Sequence, residues 1–198
     1  MKTKTSRMLQ AEKTKQLIID TAMELLKTKT LDELTIQEIC QKAHVSVGAY
    51  YHHLGSKEGI IIEIYKEVDE FFEDEIIPKF QECEPLKGMI DYLIYQVEYA
   101  EKKGVDMVRN AYKAQINNGN EFFLSSDRGL PMGLRNLVLR AQKEGKISEK
   151  VSAEKITNEL LVISRGIIYC WCVSAGTIDM HENIETIVGK YLEGCKGV

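Results

Sequence analysis

Apolar residues recur three and four positions apart along most of this chain. In Lys15–Thr28, Ile18, Ala22, Leu25 and Leu26 share one face and charged residues the other, which predicts an amphipathic helix. Thr35 with Glu38 three residues on forms a capping box. It opens a short helix to about Ala43 with an Ile36, Ile39, Cys40, Ala43 stripe. After a break at His44-Val45-Ser46, Ser46 caps a second short helix to about His53, and Leu54-Gly55-Ser56 stops it. Ser56 opens a long helix through Ile60, Ile64, Val68, Phe72 and Ile76, ending near Pro78. Further helices are predicted at Pro85–Lys103, Val105–Ile116, Leu134–Lys143, from Ser152 to about Ser174, and at Glu182–Leu192. Asn117–Pro131 reads as the longest loop. No strand alternation is sustained and no repeat emerges, so the predicted fold class is all-α, with about nine helices.

Composition narrows this picture. Only 3 of 198 residues are proline, which suits long helices. The most apolar run, Gly166–Val173, is far short of a bilayer span, and no apolar stretch follows the basic start, so neither a membrane span nor a secretory signal is expected. A cytoplasmic location follows as an expectation. Cys40, Cys83, Cys170, Cys172 and Cys195 are odd in number and lack CxxC spacing. They read as buried thiols rather than as a disulfide framework or a metal site, and no cofactor is called for. No HExxH or Ser/His/Asp-like set suggests an enzyme.

The two short helices and their tight turn at Thr35–His53 form a helix-turn-helix pattern. Ile36, Ile39, Cys40, Val45, Tyr50 and Leu54 fill the corner. The second helix is left presenting Ser46, Val47, Gly48, Ala49, Tyr51, His52 and His53, small or hydrogen-bonding residues that suit a major groove. Tyr51 and Lys57 reach for flanking phosphates. The adjacent histidines diverge by about 100° on a helix, so they do not form a metal pair. The basic start, Lys2, Lys4, Arg7, Lys13 and Lys15, reads equally as a solvated tail or as a DNA-contacting arm.

The run from Leu34-Thr35-Ile36 through Cys40-Gln41-Lys42-Ala43 and Val45-Ser46-Val47-Gly48-Ala49-Tyr50-Tyr51-His52-His53-Leu54-Gly55-Ser56-Lys57-Glu58 resembles the DNA-binding domain of TetR/AcrR-family transcriptional regulators. The likeness covers about residues 15–65. It implies an N-terminal domain, 1–56, that binds double-stranded DNA, a linking helix 56–77, and a C-terminal domain, 57–198, for effector binding and dimerisation. Base contacts then map onto Gln37, Val47 and Gly48, and phosphate contacts onto Thr35, Ala49, Tyr51, His53 and Lys57. The family usually has Gly where this chain has His44, a turn position that demands φ > 0; His is among the residues that tolerate it.

Beyond that segment the sequence is less explicit. Tyr92, Tyr95 and Tyr99 share one helical face, and Leu86, Ile90, Leu93 and Val97 another. The tyrosines, with Met107, Tyr112, Phe122, Phe123 and Trp171, are candidate effector contacts, although such a stripe also suits a core. Glu98 and Arg109 could fix a polar group but suit solvent better. The last two helices carry more apolar surface than one core needs, consistent with the homodimer the resemblance implies. That reading makes the chain a regulator, most simply a repressor released from a pseudo-palindromic operator by a small molecule. An activator or constitutive DNA binder on the same fold is the alternative, and a small all-α enzyme a remote one. Charge divides along the chain: residues 1–60 hold 9 basic and 7 acidic side chains, residues 61–198 hold 17 and 23. The net −4 therefore conceals a mildly basic N-terminal part.

Overall fold

The computed structural model describes residues 5–118 and 121–196. Among them are nine helices and no strand: α1 Ser6–Leu26, α2 Ile36–Lys42, α3 Val47–Leu54, α4 Gly59–Phe71, α5 Pro85–Lys103, α6 Val105–Asn118, α7 Gly129–Lys143, α8 Ala153–Val173 and α9. Helix α9 is Met180–Asn183 continued by a π-helical Ile184–Val188 and an α-helical Gly189–Cys195. Helix α4 likewise runs on through a π-helical Phe72–Ile76 and a 3₁₀ turn, Ile77–Phe80. The all-α class expected from the periodicity is the class observed.

The chain divides into two compact units, Met1–Lys66 with Asp106–Phe123, and Glu67–Val105 with Leu124–Val198. A division drawn along the sequence at 56/57 misses the second segment of the first unit, because α6 is recruited there by tertiary hydrogen bonds. Asn110 is buried and its Nδ2 donates to the carbonyls of Leu26 (2.8 Å) and Lys29 (2.9 Å), 84 and 81 residues away. These are carbonyls at the C-terminal end of α1, which no further helical turn can satisfy.

The first unit is built on the buried faces of α1 (Ile18, Ile19, Ala22, Leu25, Leu26), α2 (Ile39, Cys40) and α3 (Tyr50, Leu54), closed by Leu31, Leu34 and Ile60. Helix α1 starts well before Lys15, capped by Thr5, whose Oγ1 accepts from the Met8 amide. Arg7, Lys13 and Lys15 are thus helical rather than part of a tail, and Lys15 pairs with Glu63 at 2.5 Å. Lys2 and Lys4 lie outside the described residues.

The second unit packs α7 against both α5 and α8 and seats α9 on α5 and α8. It holds a buried ion pair, Asp69–Arg128: Arg128 donates from Nε at 2.8 Å and Nη2 at 3.2 Å, and the Leu130 amide donates to the same carboxylate at 3.2 Å. The start of α7 must come close for this. A Cβ on Gly133 would lie 2.2 Å from the Tyr92 hydroxyl, which donates to the Leu130 carbonyl. Helix α8 corrects one expectation. Ala153–Val173 is long and apolar enough to cross a membrane by length and composition, but half of its most apolar window is buried within the protein, as in a core helix. A second correction concerns the thiols: Cys40 and Cys172 are buried, Cys83 and Cys195 half-buried, and Cys170 exposed.

Candidate DNA-binding site and effector cavities

The expected helix-turn-helix is formed by α2 and α3, and its local geometry follows from the caps. Thr35 Oγ1 accepts from the Glu38 amide and Ser46 Oγ from the Ala49 amide, both at 3.1 Å, so each short helix has a fixed start. Between them His44 sits at φ 54°, the left-handed conformation expected of that position. The turn closes as a Schellman motif: the His44 amide donates to the Gln41 carbonyl and the Val45 amide to the Cys40 carbonyl. Tyr50 is wholly buried, its hydroxyl donating to the Ser56 carbonyl at 3.2 Å, which ties α3 to the start of α4. Ser56 Oγ in turn accepts from the Gly59 amide.

With Tyr50 and Leu54 turned inward, the outward face of α3 is what the sequence pattern selected. Ser46, Val47, Gly48, Tyr51 and His52 are exposed, and Ala49 and His53 half-buried; on α2, Thr35 and Gln37 are exposed. Tyr51 is 52% exposed, high for a tyrosine. A Cβ at Gly48 would meet only Ser46 Oγ, at 3.9 Å, so the helix there is bare backbone that a duplex can approach. Lys57 is half-buried, with Nζ donating to the Asp32 carbonyl at 3.1 Å in an exposed hydrogen bond at the surface. His53 is held below its usual pKa by burial, with the charges of His52 and Lys15 adding to the effect.

Comparison with known proteins decides what this unit is. Residues 18–64 match the family profile described as "Bacterial regulatory proteins, tetR family". That segment, which contains the helix-turn-helix, is similar to the bacterial regulatory proteins of the tetR family. Over 191 residues it is 22% identical to the "Probable acrEF/envCD operon repressor" of Escherichia coli (strain K12), covering 92% of this chain and 87% of that protein. The TetR-family repressor FadR of Thermus thermophilus, solved with lauroyl-CoA, is similar in fold with a TM-score of 0.74 at 19% identity, over 93% of this chain and 95% of its own. NalD, the secondary repressor of the MexAB-OprM efflux pump in Pseudomonas aeruginosa, aligns with a TM-score of 0.63 at 18% identity, over 93% and 96%.

The candidate effector residues fall in both units. Met107, Tyr112, Phe122 and Phe123 belong to the first, where Phe123 lies tilted by 42° against Tyr65 (4.8 Å) and meets Tyr112 edge-on (6.0 Å). Met107 is buried there. Tyr92, Tyr95, Tyr99 and Trp171 belong to the second. Tyr92 is fully buried, packs against Phe72 and Phe80, and edges a cleft of about 310 Å³ that Arg140 and Leu137 also line. Tyr95 lies under the Lys79 ammonium. Trp171 is buried in α8. Tyr99 borders a separate cavity of about 340 Å³ with Glu67 and Phe71. Of the two polar candidates, Arg109 pairs with Asp106 at 2.6 Å and Glu98 is exposed. Asn110, Asp69, Arg128 and Glu67 carried no signal in the sequence. Each is a polar residue on a helix or, for Arg128, just before one, and its partner is distant in the chain.

Proposed function

We propose that the chain is a TetR-family regulator, a homodimeric repressor that binds a pseudo-palindromic operator and leaves it when a small molecule binds the C-terminal unit. The observation that carries the reading is the outward face of α3. It is capped, bare at Gly48 and flanked by Tyr51 and His52, while its inward residues are locked into the core. Such a helix fits a major groove about 12 Å wide, with Gln37, Val47 and Gly48 at base edges and Thr35, Ala49, Tyr51, His53 and Lys57 at phosphates. A DNA-binding role of this kind supports a cytoplasmic location.

Dimerisation through α8 and α9 is supported by the surface they leave open. Val162, Gly166, Tyr169 and Val173 recur along one exposed face of α8, with Val162 67% and Val173 68% exposed, and Ile187 is exposed on α9. No Cβ contact within 4 Å would be made at Gly166, so a second backbone has room to approach. A two-fold dimer sets half-site spacing, and an effector that favours a dimer with another spacing releases the operator. The likeness to an operon repressor and to a repressor solved with lauroyl-CoA supports repression and effector control.

The test is fluorescence anisotropy with duplexes tiled across the chain's own upstream region. One duplex with inverted half-sites binds at least about 1,000-fold tighter than scrambled DNA. Equal affinity for both refutes the operator reading. A deletion strain separates repressor from activator, since reporter output from that promoter rises only if a repressor is lost.

A further inference from the structure

The cavity of about 340 Å³ that opens beside the π-helical turn of α4 is built around a positive charge. Phe71 and Tyr99 form two of its walls, their rings 5.0 Å apart and tilted by 41°. Over Tyr99, 5.1 Å from the ring centroid, sits the ammonium of Lys103. That ammonium donates to Glu67 Oε1 at 2.6 Å, and the Tyr99 hydroxyl donates to the same oxygen at 3.3 Å. The other carboxylate oxygen, Glu67 Oε2, is buried and accepts no hydrogen bond. A buried carboxylate oxygen left without a donor is costly, so this site is short of N–H groups rather than of acceptors.

The surrounding charge points the same way. Glu67, Glu70, Asp74 and Glu75 line the cavity against only Lys102 and Lys103, so its wall is net negative. An aromatic face combined with a carboxylate is the chemistry that recognises an organic cation. Here one of the protein's own lysines already occupies that seat. π-helical turns also concentrate at functional sites, and this one, Phe72–Ile76, contributes Asp74 and Glu75.

We propose that this cavity binds an aromatic or hydrophobic ammonium compound. The ligand's ammonium takes the seat of the Lys103 side chain, its ring lies on Phe71 and Tyr99, and its N–H groups donate to the Glu67 carboxylate. The proposal rests on the reading of the chain as effector-responsive and names the effector's chemistry: a protonated amine attached to a flat apolar body. Lys103 acts as a built-in competitor that keeps the seat filled when no ligand is present.

Three probes of one shape test this by calorimetry on the full chain at pH 7: 1-naphthylmethylammonium, the neutral 1-naphthylmethanol and the anionic 1-naphthylacetate. The amine binds, the alcohol binds about tenfold more weakly or worse, and the acetate does not bind measurably. Glu67→Gln weakens the amine about tenfold or more. Lys103→Met strengthens it severalfold, because the competitor is gone while the rings remain; thermal melts establish that both variants are folded. Equal binding of amine and alcohol overturns the proposal, and so does weakened or unchanged amine binding in Lys103→Met. The same amine is then titrated into the operator complex. Calorimetric binding without operator release leaves the cation site standing and refutes the effector role. Release with no calorimetric change in Glu67→Gln places the effector elsewhere and refutes the site.

Discussion

Replacing Asn110 with Ala tests whether α6 holds the DNA-binding unit together. The wild-type amide spends both N–H bonds on the carbonyls of Leu26 and Lys29, at a position only 8% exposed. Each hydrogen bond contributes about 1 kcal/mol net, and a buried carbonyl left unpaired costs about 1–3 kcal/mol. Water can enter on the Lys29 side, where the bond is only part-buried, and can replace part of that loss. The expected destabilisation is therefore about 2–4 kcal/mol. Asn110→Asp should be at least as damaging, because its oxygens face two carbonyl oxygens and it supplies no donor. Urea unfolding followed by circular dichroism measures the change, with operator affinity measured well below the transition. A loss under about 0.5 kcal/mol would refute the claim that this side chain caps α1, and with it the assignment of Asp106–Phe123 to the first unit.

Four further outcomes follow. Gly133→Ala places a methyl 2.2 Å from the Tyr92 hydroxyl and 2.7 Å from Ile77 Cγ1, and should cost about 1–3 kcal/mol in thermal unfolding; an unchanged midpoint counts against the close seat of α7 on α5. Val162→Glu combined with Val173→Glu should yield a folded monomer by analytical ultracentrifugation, and a persisting dimer would move the interface off α8. His44→Gly relieves a left-handed histidine at φ 54° and should be neutral or stabilising by up to about 1 kcal/mol, so a lower melting point contradicts the turn geometry. For His53, burial lowers the folded-state pKa below that of the unfolded chain. Its contribution to stability is therefore full above the ordinary histidine range and is lost as pH falls through it. A phosphate beside it favours the protonated form instead, so operator affinity should rise from pH 8 to pH 6 by no more than about tenfold per unit for this one group. That rise should shrink in His53→Gln, and an identical pH profile in the variant would remove His53 from the phosphate contacts.

Much of the DNA-facing site was legible in the sequence because its determinants are local. Caps at Thr35 and Ser46 act three residues ahead. The alternation of Tyr50 and Leu54 with Tyr51 and His52 fixes which side of α3 faces out. The His44 turn is set by the two residues on either side of it. Helix starts were read less well. Helix α1 begins at Ser6, nine residues before the Lys15 start that its apolar stripe predicts, since Met8 and Leu9 are exposed and the stripe marks burial rather than helix extent. Helix α7 begins at Gly129, inside a stretch that reads as loop, because Arg128 is pinned by Asp69 and Gly129 and Gly133 permit the close approach.

The sequence alone determined the helical class, the helix-turn-helix and the outward residues of α3, since all three rest on interactions within one or two turns. Tertiary structure decided that α6 joins the first unit through Asn110, that Arg128 finds Asp69, and that Glu67, Tyr99 and Lys103 enclose one negatively lined cavity. The physical reason is common to all of these. A polar side chain carries no record in the sequence of a partner thirty to eighty residues away, whereas an apolar stripe or a cap announces itself within four.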